Sequence, residues 1–206
     1  MQHPHPELAL RLLAPYSAFP LRVRPAKRMT DEALYALCVA NKDLRIERTA
    51  DGDLIVMSPT GGETSRRNAV LTSAVVVWAA KDGRGIVFDS NGGFILPNGA
   101  ERAPDVAWVR RERWEALTPK QRERFPPLCP DFVVELRSPS DALDDVHEKM
   151  REYASSGARL GWLIDPESRR VWVYEEQAEP VCLERPERVS GGEVLPGFAL
   201  EMGGIW

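Results

Sequence analysis

The sequence predicts a single α/β or α+β domain built on a mixed sheet, and three observations lead there. Strand-like runs alternate with two long helical stretches; one strand, "FVVELRS", opens on a continuous apolar run of the kind found in buried strands. The 206 residues, 43% apolar and 28% charged, suit one core with extensions better than two cores.

Residues 1–28 hold Pro4, Pro6, Pro15, Pro20 and Pro25 and read as an extended N-terminal arm, which leaves 29–206 as the domain. A helix follows from a Thr30 cap through Asp31 and Glu32 to about Val39. "LRIER" and "DLIVM" alternate on either side of Thr49-Ala50-Asp51-Gly52, which signals a hairpin. The longest helical stretch, Glu63 to Ala80, opens after Pro59-Thr60-Gly61-Gly62 and stops near Gly83, with Glu63, Arg67, Val70, Ala74 and Val77 on one face. "GIVFDS" and "GFILP" are short strands flanking Asn91-Gly92, "DVAWV" is a third and "FVVELRS" a fourth. A second long helix runs from Asp141 to about Ser155, its positive end met by Asp141, Asp144 and Asp145 and its stop supplied by Gly157. "LGWLID" and "RVWVYE" then pair across Pro166-Glu167-Ser168.

Composition narrows the function. With 27 basic and 31 acidic side chains the net charge is −4, so any contact with nucleic acid must be local or assisted by a metal ion. Cys38, Cys129 and Cys182 are odd in number and widely spaced, which suits neither a disulfide framework nor a zinc site, and no histidine pair has metal-ligand spacing. The longest apolar run, Ala74 to Ala80, is too short to span a membrane, and a cytoplasmic location is expected. The excess of acid lies in residues 165–206, which carry nine acids and four bases. The apolar "VLPGFAL" in that tail closes the sheet or joins two copies; a homodimer is expected. Trp108, Trp162 and Trp172 fall within strands and read as core or interface rings. Arg66, Arg67, Arg110, Arg111, Arg113, Arg122 and Arg124 either contact phosphate or form a solvated mixed-charge surface with Glu112, Glu115 and Glu123.

The chemistry concentrates in two Pro-Asp pairs at strand starts, Pro104-Asp105 and Pro130-Asp131. Side chains alternate along a strand, so Asp131, Val133, Glu135 and Arg137 share a face and Glu135 sits mid-strand among apolar neighbours. An ionised carboxylate there needs a compensating cation, either Arg137 or a metal. Asp105, on a separate strand, adds a second hard oxygen ligand of the kind magnesium or manganese accepts where the two strands are neighbours. Lys149 flanks the apolar face of the second long helix beside Val146 and Tyr153, from where its side chain could reach the strand of Glu135. Two carboxylates, a divalent cation and an ammonium are the parts of a phosphodiester-cleaving centre. Plainer readings stand beside it: turn residues for Asp105 and Asp131, an ion pair for Glu135, a surface-seeking amine for Lys149 and a helix-dipole acid for Glu63.

The runs "MSPTGGETS", "PDVAWV", "PDFVVELRSPSD" and "EKMREYASSGARLGWLIDP", in that order over roughly residues 30–206, resemble the Uma-type restriction endonucleases, a branch of the PD-(D/E)XK nuclease superfamily. The resemblance implies a restriction-endonuclease-like fold, a mixed central sheet flanked by helices, and magnesium-dependent (or manganese-dependent) cleavage of DNA. It places the motif acids on Asp105 and Glu135 and suggests Glu63 as a first-helix acid; in a magnesium site built on the two motif acids the Leu136 carbonyl is a further candidate ligand. The motif lysine position holds Arg137 instead, a permanently charged guanidinium that is no simple substitute. Lys149 is the candidate replacement, and Arg137 would brace Glu135 or the phosphate. The rival expectation is a nuclease-fold protein without catalysis that binds DNA or another partner; a weaker one is a glycosidase using paired carboxylates.

Overall fold

The computed structural model describes residues 20–57 and 59–206. Most of the predicted N-terminal arm lies outside the described residues; its final part is extended and carries strand β1 (Leu21–Val23). Next come α1 (Asp31–Ala40), the hairpin β2 (Arg45–Arg48) and β3 (Leu54–Met57), α2 (Gly62–Asp82) and β4 (Gly85–Asp89). The short strands β5 (Phe94–Ile95) and β6 (Glu101–Arg102) precede β7 (Val106–Arg110), two small helices α3 (Arg111–Glu115) and α4 (Pro119–Arg122), and β8 (Phe132–Leu136). The chain continues through α5 (Leu143–Ser155), β9 (Leu160–Asp165), β10 (Arg170–Glu175), β11 (Val181–Glu184), β12 (Arg188–Ser190) and β13 (Ala199–Glu201).

The central sheet has the order β11-β10-β9-β8-β7-β4 and is mixed, as predicted: β8 and β9 run parallel and every other neighbouring pair antiparallel. A parallel pair cannot be joined by a tight turn, and α5 supplies the crossover. A second sheet, β1-β3-β2-β6-β5, is antiparallel throughout. The segment around Asn91-Gly92 therefore carries the chain from one sheet to the other, since β4 and β5 do not share a sheet.

All five residues of β8 are buried, in line with its continuous apolar start. Phe132, Val134 and Leu136 pack with Leu71, Val75 and Ala79 of α2, while Val133 packs with Met150 and Tyr153 of α5. The buried stripe of α2 is thus Thr64, Leu71, Val75 and Ala79, and Val77 of the face read from sequence is 55% exposed. Leu195, Phe198 and Leu200 join the α2-side core, so the apolar tail packs against the central sheet, while its strand β13 pairs with β12 in a separate two-stranded sheet. Trp108 and Trp162 are core rings, and half-buried Trp172 meets the edge of His147 at 4.8 Å between centroids. The three cysteines are unbridged.

Local signals explain the ends of the helices. Thr30 Oγ1 accepts the Ala33 N–H at 3.2 Å, and Gly83 ends α2 in the left-handed region at φ 74°, where a side chain would be strained. α5 begins two residues later than expected because the Asp141 carboxylate is used in the preceding turn, accepting the Ser138 N–H at 2.8 Å. None of the helices among the described residues is long and apolar enough to cross a membrane.

Candidate active site

β7 and β8 are neighbouring antiparallel strands, with Val106 opposite Val134 and Ala107 opposite Val133. One further step in that register sets Asp105 opposite Glu135, and a second sets Pro104 opposite Leu136. Directly opposed residues have their Cβ atoms about 5 Å apart, so two acids 30 positions apart in the chain meet at one end of the pair. Proline has no N–H to give, so Pro104 cannot donate to the Leu136 carbonyl as another residue in that register would. The Leu136 N–H, on the same strand edge, is taken by Asp105 Oδ2 at 2.8 Å.

Both acids are buried, Asp105 5% and Glu135 6% exposed. Asp105 Oδ1 accepts from Asn68 Nδ2 of α2 at 3.2 Å and from Arg45 Nη1 of β2 at 3.3 Å. Glu135 Oε1 accepts from Tyr153 Oη at 2.9 Å and faces Lys149 Nζ at 2.8 Å. Lys149 and Tyr153 stand one turn apart on α5, so a single helix face delivers both donors. Among the described residues no hydrogen bond reaches Glu135 Oε2. Burial pushes the Glu135 carboxyl up to about 7; Lys149 opposes the rise, and Asp105 reinforces it.

The second sheet supplies the wall. Glu47 of β2 accepts Lys149 Nζ at 2.8 Å and the Ala103 N–H at 3.2 Å on Oε1, with Arg45 Nη2 at 3.4 Å, while Oε2 accepts Arg102 Nη1 at 3.2 Å. Burial alone would raise this acid, but Lys149, Arg45 and Arg102 hold it down at about 2. Lys149 is likewise penalised by burial, yet Glu135 and Glu47 raise it above the ordinary lysine value, so it stays an ammonium. Glu101 of β6 is the contrasting case: its Oε2 is buried without a partner, and burial followed by repulsion from Glu47 raises it to about 8. Gly93 lies against its other oxygen so closely that a Cβ there would clash.

The structure brings together Asp105, Glu135, the Leu136 main chain and Lys149. It does not bring Arg137 to Glu135. Arg137 Nη1 pairs instead with Asp165 at 3.1 Å and Glu167 at 3.3 Å, and Nε donates to the Asp141 carbonyl. Glu135 is already served by α5, whereas Asp165 sits beside Arg137 at the end of β9. Glu63 is likewise elsewhere, exposed and paired with Arg66 at 2.6 Å and Arg67 at 3.4 Å. It lies about 140° around α2 from Asn68, the residue of that helix that does reach Asp105. Asp131 occupies the opposite end of the β7–β8 pair, accepting the Arg110 N–H at 2.9 Å and pairing with Arg113 at 3.0 Å.

Arg45, Glu47, Asn68, Glu101 and Arg102 are site residues that sequence reasoning did not pick out. The charged alternation of "RIER" looks the same whether the strand faces water or a polar interior, so it carries no signal of burial. Tyr153 was legible only as a neighbour of Lys149 on the helical wheel.

Among the described residues no group of three or more His, Cys, Asp and Glu side chains is arranged to hold a metal. Two carboxylates and one main-chain carbonyl are what the β7–β8 end offers, and among the described residues no hydrogen bond reaches Glu135 Oε2. These hard oxygens fit a magnesium-like ion and not zinc.

Comparison with known proteins agrees with this architecture. A family model, Uma2, described as "Putative restriction endonuclease", matches residues 31–203. The crystal structure of a "putative nuclease" belonging to DUF820 from Anabaena variabilis aligns with a TM-score of 0.66 over 78% of this chain and 88% of that one. At 19% identity this likeness establishes a shared fold, the restriction-endonuclease-like mixed sheet flanked by helices. No curated protein matches the chain.

Proposed function

The chain belongs to the Uma2 family, described as "Putative restriction endonuclease", and from that membership we propose that it is a divalent-metal-dependent endonuclease hydrolysing phosphodiester bonds in DNA. The observation that carries this reading is the cross-strand meeting of Asp105 and Glu135 with Lys149 Nζ 2.8 Å from Glu135. Asp105, Glu135 and the Leu136 carbonyl would hold Mg2+ or Mn2+. Bound there, the ion supplies Lewis-acid neutralisation of phosphate charge, which a chain of net charge −4 otherwise lacks.

The remaining roles belong to side chains. An ammonium has three N–H donors, and Lys149 directs two toward Glu47 and Glu135. The third is free to orient the attacking water or a phosphate oxygen, and Lys149 acts as a fixed positive charge rather than as a base. Tyr153 fixes the rotamer of Glu135, and Asn68 with the Leu136 N–H fixes that of Asp105. Arg137 is assigned to bracing the β8–β9 end through Asp165, and Glu63 to the surface of α2. An open depression lined by Ser65, Asn68, Thr72, Asp89 and Ser90 gives an approach to the Asn68 side.

Incubating the protein with supercoiled plasmid and magnesium or manganese tests the reading: cleavage is expected, and it is lost in both Asp105→Ala and Glu135→Ala. Cleavage undiminished in both variants would overturn the site. A second reading, a non-catalytic DNA-binding or interaction protein, is favoured by one observation: Arg45 and Lys149 already neutralise the two acids. Calorimetric magnesium binding at millimolar or tighter affinity that vanishes in Glu135→Gln would remove it. The homodimer and the cytoplasmic location rest on sequence alone, and a solution mass of one chain by light scattering would remove the first.

A further inference from the structure

Three cations line the site, and Arg45 is the least committed of them. Its side chain is 24% exposed, against 15% for Lys149 and 10% for Arg102. Its two carboxylate contacts, 3.3 Å to Asp105 and 3.4 Å to Glu47, are long for charge-assisted bonds, which run at about 2.7–2.9 Å. Lys149, by contrast, sits 2.8 Å from each of its acids. The Arg45 Nε is buried with no hydrogen-bond partner. A guanidinium is planar, always charged and suited to paired contacts with phosphate oxygens.

The carboxylate it touches is one of the two proposed to hold the metal. Asp105 Oδ2 accepts the Leu136 N–H and Oδ1 accepts from both Asn68 and Arg45, so a cation approaching this carboxylate meets a guanidinium already held against it. Asn68 is neutral, and its amide can stay beside a carboxylate that also holds a metal. Arg45 cannot share that carboxylate with a divalent ion without setting two positive groups close together.

We infer that Arg45 is an exchanging residue: it is the counter-cation of Asp105 in the metal-free protein, and it donates to a non-bridging oxygen of the DNA phosphate once a divalent ion has taken Asp105. The inference rests on the nuclease reading for its substrate but not for its first half, which concerns the apo protein alone.

Two binding measurements on the full chain test it without turnover. Magnesium affinity by calorimetry, without DNA, should rise about tenfold in Arg45→Ala, because a competing cation has been removed. Affinity for a fluorescent DNA duplex, measured by anisotropy with calcium as a non-catalysing ion, should fall tenfold or more in the same variant, and Arg45→Lys should recover only part of it. Opposite signs are the signature of exchange. Magnesium affinity that is unchanged or weaker in Arg45→Ala overturns the inference, as does duplex affinity that is unchanged. Arg45→Met, which keeps the aliphatic stem, replaces Arg45→Ala should the latter unfold. Failure of the nuclease reading would show separately, as wild-type protein that leaves plasmid intact while both binding shifts are present.

Discussion

The two Pro-Asp pairs make nearly the same local structure at opposite ends of β7 and β8. At one end Asp105 Oδ2 accepts the Leu136 N–H at 2.8 Å; at the other Asp131 Oδ2 accepts the Arg110 N–H at 2.9 Å. Each aspartate thus caps the partner strand where the ladder stops, and each is at most 5% exposed. The ends are roughly 15 Å apart along the strands, and what gathers around them differs. Asp131 meets one arginine, Arg113, and no second acid is paired with it. Asp105 meets Glu135 across the ladder, Asn68 from α2 and Arg45 from the second sheet, with Lys149 and Glu47 behind. The motif builds a strand end; three further elements turn one of those ends into a site.

Exchanging the two aspartates for alanine is the strongest way to break that comparison. Asp105→Ala should lower plasmid cleavage by about 100-fold or more, in the range seen when one transition-state charge partner is lost. Asp131→Ala should leave the rate per folded molecule within about threefold. Equal losses at both ends, in protein shown to be folded by circular dichroism, would mean that the β7–β8 pair matters only as a scaffold.

Stability should rank the other way. Asp131→Asn loses its pair with Arg113 and weakens the acceptor of a buried N–H, a cost of roughly 1–3 kcal/mol. Asp105→Asn loses comparable contacts but also relieves the repulsion that helps raise Glu135, so its cost should be smaller. Urea melts of both variants in chelator decide it. A larger loss at Asp105 would show that Arg45 and Asn68 outweigh the repulsion.

The outcome also shows how far sequence reaches. Alternation and capping residues located the β2–β3 hairpin, β7, β8, the β9–β10 pair, α1 and the two long helices α2 and α5, because burial periodicity and helix ends are written in contiguous residues. α3 and α4 escaped, being five and four residues long with no apolar face to read, although Thr118 and Gln121 do form a capping box. Asp105, Glu135 and Lys149 were legible because acids at strand starts and a rare lysine on a helix flank stand out. Arg45 and Glu47 were not, because only the placement of the second sheet against the first turns the polar-looking face of β2 inward. Asp131, identical in motif to Asp105, could not be told from it by local sequence.

Glu101 sharpens the comparison from within the site. It is an acid without an ion-pair partner in the wall that serves Asp105, and it is raised to about 8 from an ordinary 4.5. Between those values the unfolded chain releases a proton that the folded one keeps, so stability must fall as pH rises through that window, by up to about 1.4 kcal/mol per pH unit from this group. Glu135, raised to about 7, adds a contribution of the same sign, whereas Glu47, held at about 2, contributes nothing to the slope above 4.5. Glu101→Gln should therefore flatten the decline without abolishing it and be more stable than the parent above pH 8. Chemical denaturation in metal-free buffer from pH 5 to 9 reads it; parallel curves would mean that the Glu101 carboxyl finds a partner in solution.

The smallest effect is expected at Glu63, where the family resemblance and the geometry part. A first-helix acid reaching the metal would make Glu63→Ala costly for cleavage. The structure instead places Glu63 on the surface of α2 against Arg66 and Arg67, and those arginines have second attachments, to the carbonyls of Gly204 and Ile205. Removing an exposed acid from such a pair loses a screened surface interaction and leaves the C-terminal contacts of both arginines in place. Cleavage by Glu63→Ala should stay within about twofold of the parent, and the melting temperature within about 2 °C. A loss of tenfold or more with an unchanged melting temperature would bring α2 into the chemistry through Glu63 as well as Asn68, and the Asp105 end would then draw on a further acid that the metal-free arrangement holds aside.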